Sequence, residues 1–324
     1  LSKKYDNILL VDKESSFGQH VSSRNSEVIH SGFYYLKESL KTKLCIKGNE
    51  MLYDFAKKYS IKYNNCGKMI VLNDYKDNAI FESLEIKSKE NGLSDIRILS
   101  SKESKLIEPR VKCIKSLWIP SAGIIDSHGV MSKLENLSIT RGVNVAYSTK
   151  LNSIEKKNSY FKLIFNNEDE ITAGILINSA GLWSQEVSEM LGINDYKIEY
   201  FKGEYYKSRS MKNLSCLIYP LPTEKSLGIH SVLSLNGEVS FGPNIYKVEE
   251  IDYKINNQFK KQFLLEINKY LNIDKDDIFE DFSGIRPKIK FDGIFNDFII
   301  NNESNRGFKN LINLVGIDSP GLTS

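Results

Sequence analysis

His20, His30, His128 and His230 are the four histidines of this 324-residue chain, and imidazole is the side chain whose ordinary pKa lets it move a proton near neutrality. His30 lies within Ser22 to Tyr35, which reads Ser-Ser-Arg-Asn-Ser-Glu-Val-Ile-His-Ser-Gly-Phe-Tyr-Tyr. Ser23, Arg24, Asn25 and Ser26 offer that run a compact set of donors for an anion, and Ser31-Gly32 supplies a tight turn. The run follows Asn7 to Asp12, an apolar β segment closed by a carboxylate. In a dinucleotide fold, an acid at a strand tip accepts hydrogen bonds from the adenosine ribose, two vicinal hydroxyls matching two carboxylate oxygens. Asp12 has that position. Farther along, Arg286 sits in Gly284-Ile285-Arg286-Pro287, where Gly and Pro suit a stiff turn and the guanidinium fork suits a carboxylate. Plainer readings exist for each: a buried histidine satisfied by backbone, or a surface arginine in a turn.

Asp12-Lys13-Glu14, Ser23-Arg24-Asn25-Ser26, Val28-Ile29-His30-Ser31-Gly32 and Tyr34-Tyr35 begin a longer series. Lys41-Thr42-Lys43-Leu44-Cys45, Cys66-Gly67-Lys68, Asn178-Ser179-Ala180-Gly181-Leu182-Trp183 and Phe201-Lys202-Gly203-Glu204-Tyr205-Tyr206 continue it. Ile218-Tyr219-Pro220, Leu227-Gly228-Ile229-His230, Gly284-Ile285-Arg286-Pro287 and Gly316-Ile317-Asp318-Ser319-Pro320-Gly321-Leu322-Thr323 complete it. Taken in this order, over nearly the whole chain, the strings resemble the FAD-dependent L-2-hydroxyglutarate dehydrogenases or oxidases of the D-amino-acid-oxidase-like flavoprotein superfamily. Any one of them alone would be weak.

The resemblance implies an α/β (α+β) fold: an FAD-binding Rossmann-like domain in discontinuous pieces, with an inserted β-rich substrate domain. The pieces are residues 1–72, 126–195 and 281–324 for FAD, and 73–125 and 196–280 for the substrate. The family opens with a strand, a G-x-G-x-x-G turn and a helix, a spacing found nowhere here. A βαβ unit takes roughly 30 residues, so a piece of that kind is expected before Leu1, and a last flavin-contacting helix after Ser324. The alternative is a native chain without either end.

The implied reaction oxidises L-2-hydroxyglutarate to 2-oxoglutarate, a hydride leaving the α carbon for the flavin while a base takes the hydroxyl proton. His230 is the leading base and His30 the alternative. Arg286 would hold the α-carboxylate. Lys202, Tyr205, Tyr206 and Tyr219 are the candidates for the distal carboxylate, with aromatic packing as the plainer role of the tyrosines. Asp12, Lys13, Ser23, Arg24, Asn25, Ser26, Leu151, Ala180, Gly181 and Trp183 would line FAD. Gly316, Ile317, Asp318, Ser319, Gly321, Leu322 and Thr323 would cradle its pyrimidine edge. Electrons would go to a quinone-type acceptor or oxygen, in the cytoplasm or at the inner face of the membrane with peripheral contact. Alternatives are a flavoenzyme for glycerol 3-phosphate or for a secondary amine or amino acid, or a noncatalytic fragment that binds no flavin.

Bulk composition narrows the classes. Lys plus Arg number 44 against 41 for Asp plus Glu, so there is no basic excess of the kind nucleic acid demands. Cys45, Cys66, Cys113 and Cys216 form no C-x-x-C pair, which signals neither a zinc site nor a redox dithiol. No metal-ligand set is apparent. A reduced, cytosolic setting is the simple expectation, and no apolar run approaches the roughly 18 residues of a membrane span.

Several elements must position these side chains. Leu40, Leu44, Met51, Leu52, Phe55 and Tyr59 predict an amphipathic helix opening near Ser39. Lys68 to Leu72 reads as a short strand. A second helix capped by Asp74 presents Ile80, Leu84 and Ile86 and stops at Asn91-Gly92. Strands are expected over Val143 to Tyr147, Tyr160 to Phe165 and Ile171 to Asn178, the last running through Ser179-Ala180-Gly181 into a helix from Leu182 to Leu191. A β-rich region from Ile198 to Phe241, with a turn at Pro220 to Lys225, precedes a helix over Phe259 to Leu271.

Overall fold

A computed structural model describes residues 1–222, 227–290 and 297–324, so the expected turn at Pro220 to Lys225 lies partly outside the described residues. The architecture is mixed α/β, as the resemblance implies, and forms two compact units, each assembled from separated stretches of chain. The first comprises Leu1–Ser23, His128–Tyr200 and Pro287–Asp318; the second comprises Arg24–Ser127, Phe201–Arg286 and Ser319–Ser324. Residues 24–72, read from the sequence as part of the FAD portion, thus group with the second unit by contact.

In the first unit, Leu9–Val11 runs parallel to Asn144–Ala146, and the backbone amide of Asp12 donates to Ala146 O at 2.9 Å, extending the pair by one residue. The acid therefore stands where the strand ends. Leu176–Asn178 runs parallel to Leu311–Val315, which pairs antiparallel with Ile299–Asn302. The run expected as one strand from Ile171 to Asn178 is two: Glu170–Ala173 belongs to an antiparallel sheet with Phe161–Phe165 and Leu151–Lys156, and the chain bends at Gly174-Ile175 to change sheet. The following helix is a 3₁₀ turn, Gly181–Trp183, leading into the short Ser184–Glu189. Phe161, Phe165, Leu311 and Val315 anchor this unit's core.

The second unit is richer in sheet. Leu217–Pro220, Lys68–Leu72, Lys115–Ile119 and Arg97–Ser100 lie in that order, the first pair parallel, with Leu217 opposite Lys68 and Tyr219 opposite Ile70. A second sheet carries His230–Leu233, Glu238–Gly242, Ile198–Lys212 and Tyr246–Val248, and Ile278–Ile289 also pairs with its longest strand. Met69, Ile70, Val71 and Leu72 are all at or below 2% exposure. Each such burial contributes roughly 2 kcal/mol, enough together to offset the several kcal/mol that an ammonium costs when it is buried in the same strand.

The expected helix forms as Leu40–Tyr59, with Ser39 Oγ accepting from the Thr42 amide at 3.1 Å, but its buried face differs from the one its periodicity suggests. Leu44 and Met51 are 41% and 59% exposed, while Cys45, Asn49 and Ala56 face inward. The reason is polar. Asn49 Nδ2 donates to His30 O and to Ser121 O, both at 2.9 Å, so the helix is oriented to satisfy carbonyls beside the candidate site. The helix Asn78–Glu90 behaves alike, exposing Ile80 and Ile86 while burying Phe81, Leu84 and Ser88. Its Ser88 hydroxyl donates to Phe33 O. Asn91, just beyond its end, donates to Gly32 O and Tyr35 O.

Gly67 turns the chain into the Lys68 strand with φ of +72°, and a Cβ there would meet the buried Trp118 ring at 2.2 Å. Gly67→Ala is expected to cost about 2 kcal/mol or more, combining left-handed backbone strain with overpacking. Thermal unfolding of the two proteins checks this, and equal midpoints would contradict it. Among the described residues no helix is long and apolar enough to cross a membrane.

Candidate active site

His230 opens the strand His230–Leu233 in the second unit and is 3% exposed. Its Nδ1 lies 2.8 Å from Gly228 O. A carbonyl only accepts, so Nδ1 carries the proton and Nε2 holds the free lone pair. The ring stacks on Tyr219 with centroids 3.7 Å apart and planes 15° apart. Burial pushes its pKa down to about 3; the Gly228 bond opposes this, and the Lys68 and Arg286 charges add to it. Near neutral pH the ring is therefore uncharged and able to accept.

His30 follows the two-residue strand Val28–Ile29, which pairs with Gly123–Ile125. Its backbone is held firmly: the amide donates to Ser324 Oγ at 2.7 Å, and its carbonyl accepts from Ser324 Oγ and Asn49 Nδ2. Burial again lowers its pKa well below the ordinary value, followed by Lys68, His230 and Arg286. The fixed charges acting on both imidazoles are cationic, those of Lys68 and Arg286. Surroundings of that sign suit an anion.

Arg286 stands on the strand Ile278–Ile289, one edge of which is shaped by Gly284. A Cβ at Gly284 would lie 2.4 Å from Arg24 O, so the glycine lets the Arg24 segment lie directly against the strand. Arg24 caps the Tyr253 ring at 4.0 Å and donates from Nη1 to Ser283 O at 3.2 Å. Tyr205 stacks on Phe282 at 4.2 Å and shares a 3.0 Å hydrogen bond with Ser26. Tyr219 is 1% exposed, and its hydroxyl has no hydrogen-bond partner among the described residues.

The structure thus brings His30, His230, Arg286 and Tyr219 within electrostatic reach of one another in one unit, which also holds Arg24, Ser26 and Tyr205. Lys202 and Tyr206 are engaged elsewhere: the Lys202 ammonium donates to Lys254 O and lies 3.8 Å from Asp252, and the Tyr206 hydroxyl donates to Asn256 O at 3.3 Å. Asn25 also lies in this unit, its side chain accepting from the Glu27 amide, as do Ser319, Gly321, Leu322 and Thr323.

Lys68 closes the string Cys66-Gly67-Lys68, to which the resemblance assigns no role. It is fully buried, its Nζ has no hydrogen-bond partner among the described residues, and it stands 4.1 Å over the Tyr219 ring. A cation–π contact is worth about 2 kcal/mol when desolvated, less than the several kcal/mol that burying an ammonium costs. The usable signal was a lysine heading an otherwise unbroken apolar strand.

The first unit holds Asp12, Lys13, Ser23, Leu151, Ala180, Gly181, Trp183, Gly316, Ile317 and Asp318. Asp12 Oδ1 accepts from the Glu14 amide at 3.0 Å, which keeps the acid at the strand tip. Lys13 lies 3.0 Å from the Trp183 ring centroid, and His20 meets the same ring edge-on while contacting Glu14 at 2.9 Å. Gly181, at φ of +55°, has open space where a Cβ would stand. A strand-tip acid and an uncovered Ala-Gly backbone fit the adenosine half of a dinucleotide. His128 is exposed.

Neutral buried imidazoles carry a consequence for stability. An unfolded histidine titrates near 6.5 and His230 near 3 in the fold, so unfolding takes up protons below pH 6.5 and stability falls with pH through that window. At about pH 5, His230 alone removes roughly 2 kcal/mol. The melting midpoint of His230→Gln should therefore fall less than that of the native protein between about pH 7 and 5. Parallel slopes would contradict the assignment.

The family profile described as FAD dependent oxidoreductase, DAO, matches residues 1–324. The chain is 32% identical to the mitochondrial L-2-hydroxyglutarate dehydrogenase of Arabidopsis thaliana, covering 100% of this chain and 77% of that protein. It is 28% identical to the L-2-hydroxyglutarate dehydrogenase of Indibacter alkaliphilus, covering 98% and 89%. Its fold is similar to dithionite-reduced L-alpha-glycerophosphate oxidase from Mycoplasma pneumoniae with FAD bound, at a TM-score of 0.89 and 22% identity, over 99% of this chain and 86% of that one.

Proposed function

This chain belongs to the FAD dependent oxidoreductase (DAO) family, and from that premise we propose that it carries out the FAD-dependent oxidation of L-2-hydroxyglutarate to 2-oxoglutarate. One observation carries the reading: a neutral imidazole with its free lone pair on Nε2, buried beside arginine and lysine charges. The names of its relatives support the choice of hydroxy acid.

Bound FAD supplies a two-electron acceptor for the hydride leaving the α carbon. Asp12 would hold its ribose, with Lys13, Leu151, Ala180, Gly181 and Trp183 beside the adenosine half. Ser23 to Ser26 and Gly316 to Thr323 would line the remainder. Arg286 binds the α-carboxylate, fixing the α carbon in two directions. His230 Nε2 takes the hydroxyl proton. Its low pKa in the free protein rises once an anionic substrate lies nearby, which matches base strength to the moment of use. His30, with its backbone held at both ends, orients the substrate and is the alternative base. The small exposure of both rings keeps water from the transferring proton. Electrons pass on to a quinone-type acceptor or to oxygen, and a quinone would bring the protein to a membrane surface.

A dye-linked assay of the flavin-loaded protein tests this with L- and D-2-hydroxyglutarate, glycerol 3-phosphate and a secondary amine. The L-hydroxy acid should be preferred. Preference for the phosphate ester or the amine would replace the reading, and a colourless, inactive protein would remove it.

A further inference from the structure

We propose that Lys68 binds the second carboxylate of the substrate and so selects dicarboxylates over monocarboxylates, an inference that rests on the hydroxy-acid reading above. Lys68 heads its strand, has no exposure, and stands over two aromatic faces, Tyr219 at 4.1 Å and Phe33 at 5.7 Å. Its ammonium lacks an acceptor among the described residues, and so does the Tyr219 hydroxyl on the neighbouring parallel strand. Two buried donors without an acceptor, beside two histidines and an arginine, call for a ligand that only accepts. A carboxylate is such a group. Arg286 can serve one carboxylate of a 2-hydroxy dicarboxylic acid; Lys68 and Tyr219 are then matched to the other.

The groups that face Lys68 do not cancel its charge. Cys45, from the helix Leu40–Tyr59, has its thiol pushed by burial to about 12, and burial also raises Cys66. Both are uncharged near neutrality, as are His30 and His230. Burial also holds Tyr219 well above the usual phenol range, so it remains a donor. Lys68 itself is lowered by burial to about 8. Its charge, and with it the affinity for a second carboxylate, should decline as pH rises through that value.

The test compares kcat/KM for L-2-hydroxyglutarate with that for L-2-hydroxyvalerate, which replaces the distal carboxylate by a methyl group, in native protein, Lys68→Met, Lys68→Arg and Tyr219→Phe. Lys68→Met should reduce the dicarboxylate-to-monocarboxylate ratio by about 100-fold, and Tyr219→Phe by about 10-fold. In native protein the ratio should fall above about pH 8, and Lys68→Arg should move that limb to higher pH because guanidinium stays charged. Calorimetric binding of glutarate gives a readout free of turnover: it should be lost in Lys68→Met and kept in Lys68→Arg. An unchanged ratio in Lys68→Met overturns the proposal. Should that variant fail to fold, an unchanged ratio in Tyr219→Phe together with an unmoved alkaline limb in Lys68→Arg does so instead. The two readings fail separately. Lys68-dependent glutarate binding without hydroxy-acid oxidation would sink the reaction and leave the subsite standing, whereas oxidation with an unaltered ratio would sink only the subsite.

Discussion

Arg286→Ala is expected to lower kcat/KM for L-2-hydroxyglutarate by about 10³-fold while leaving flavin content unchanged. The size follows from two charge-assisted hydrogen bonds lost to one carboxylate, together about 4 kcal/mol, with each 1.36 kcal/mol worth a factor of ten. The effect is not purely one of affinity, because the same fork orients the α carbon for hydride departure. Arg286→Lys should recover only part of the loss, since a point charge does not fix two oxygens. Steady-state kinetics beside the flavin-to-protein absorbance ratio checks both statements. Equal loss of activity and flavin would mean instead that Arg286 acts through the fold, where Gly284 already lets the Arg24 segment lie against its strand.

His230→Gln should lower kcat by about 10³-fold, within the range that a positioned general base provides. The pH dependence is more telling than the rate. In the free protein burial holds His230 near 3, so the acid limb of kcat/KM should lie far below neutrality. With an anion bound, the imidazolium is favoured and the acid limb of kcat should appear at higher pH than that of kcat/KM. Both limbs should vanish in His230→Gln. A variant with native rate and native limbs would clear His230 of the role, leaving His30 as the base.

How much of this could be read from the residues alone depends on what kind of signal each carries. The ordered strings led to the family and to His30, His230, Arg286 and Tyr219, which the fold gathers in one unit although up to 256 positions separate them, from 30 to 286. Local pattern found the helix Leu40–Tyr59 but not its inward face. Periodicity weighs side-chain polarity, whereas the orientation there is set by Asn49 reaching two carbonyls, one of them 72 residues away. The same limit hid Lys68. A lysine at the head of a strand looks like a solvated end, and it is covered by tertiary neighbours: Leu217 on one side, Ile119 on the other, and the Tyr219 and Phe33 rings. Lys202 shows the converse: a lysine in a family-like string, attractive for a distal anion, spends its ammonium on Lys254 O and Asp252. Gly174-Ile175 failed to register as a break because the β-branched residues around it favour strand on both sides.

Anaerobic mixing of the flavin-loaded protein with L-2-hydroxyglutarate, followed by the visible flavin band, tests the central claim most directly, since it needs no electron acceptor. The band should bleach in a single turnover with the L-acid, persist with the D-acid, and bleach about 10³-fold more slowly in His230→Gln. A band unaffected by excess L-2-hydroxyglutarate, yet bleached by glycerol 3-phosphate or a secondary amine, would contradict the account.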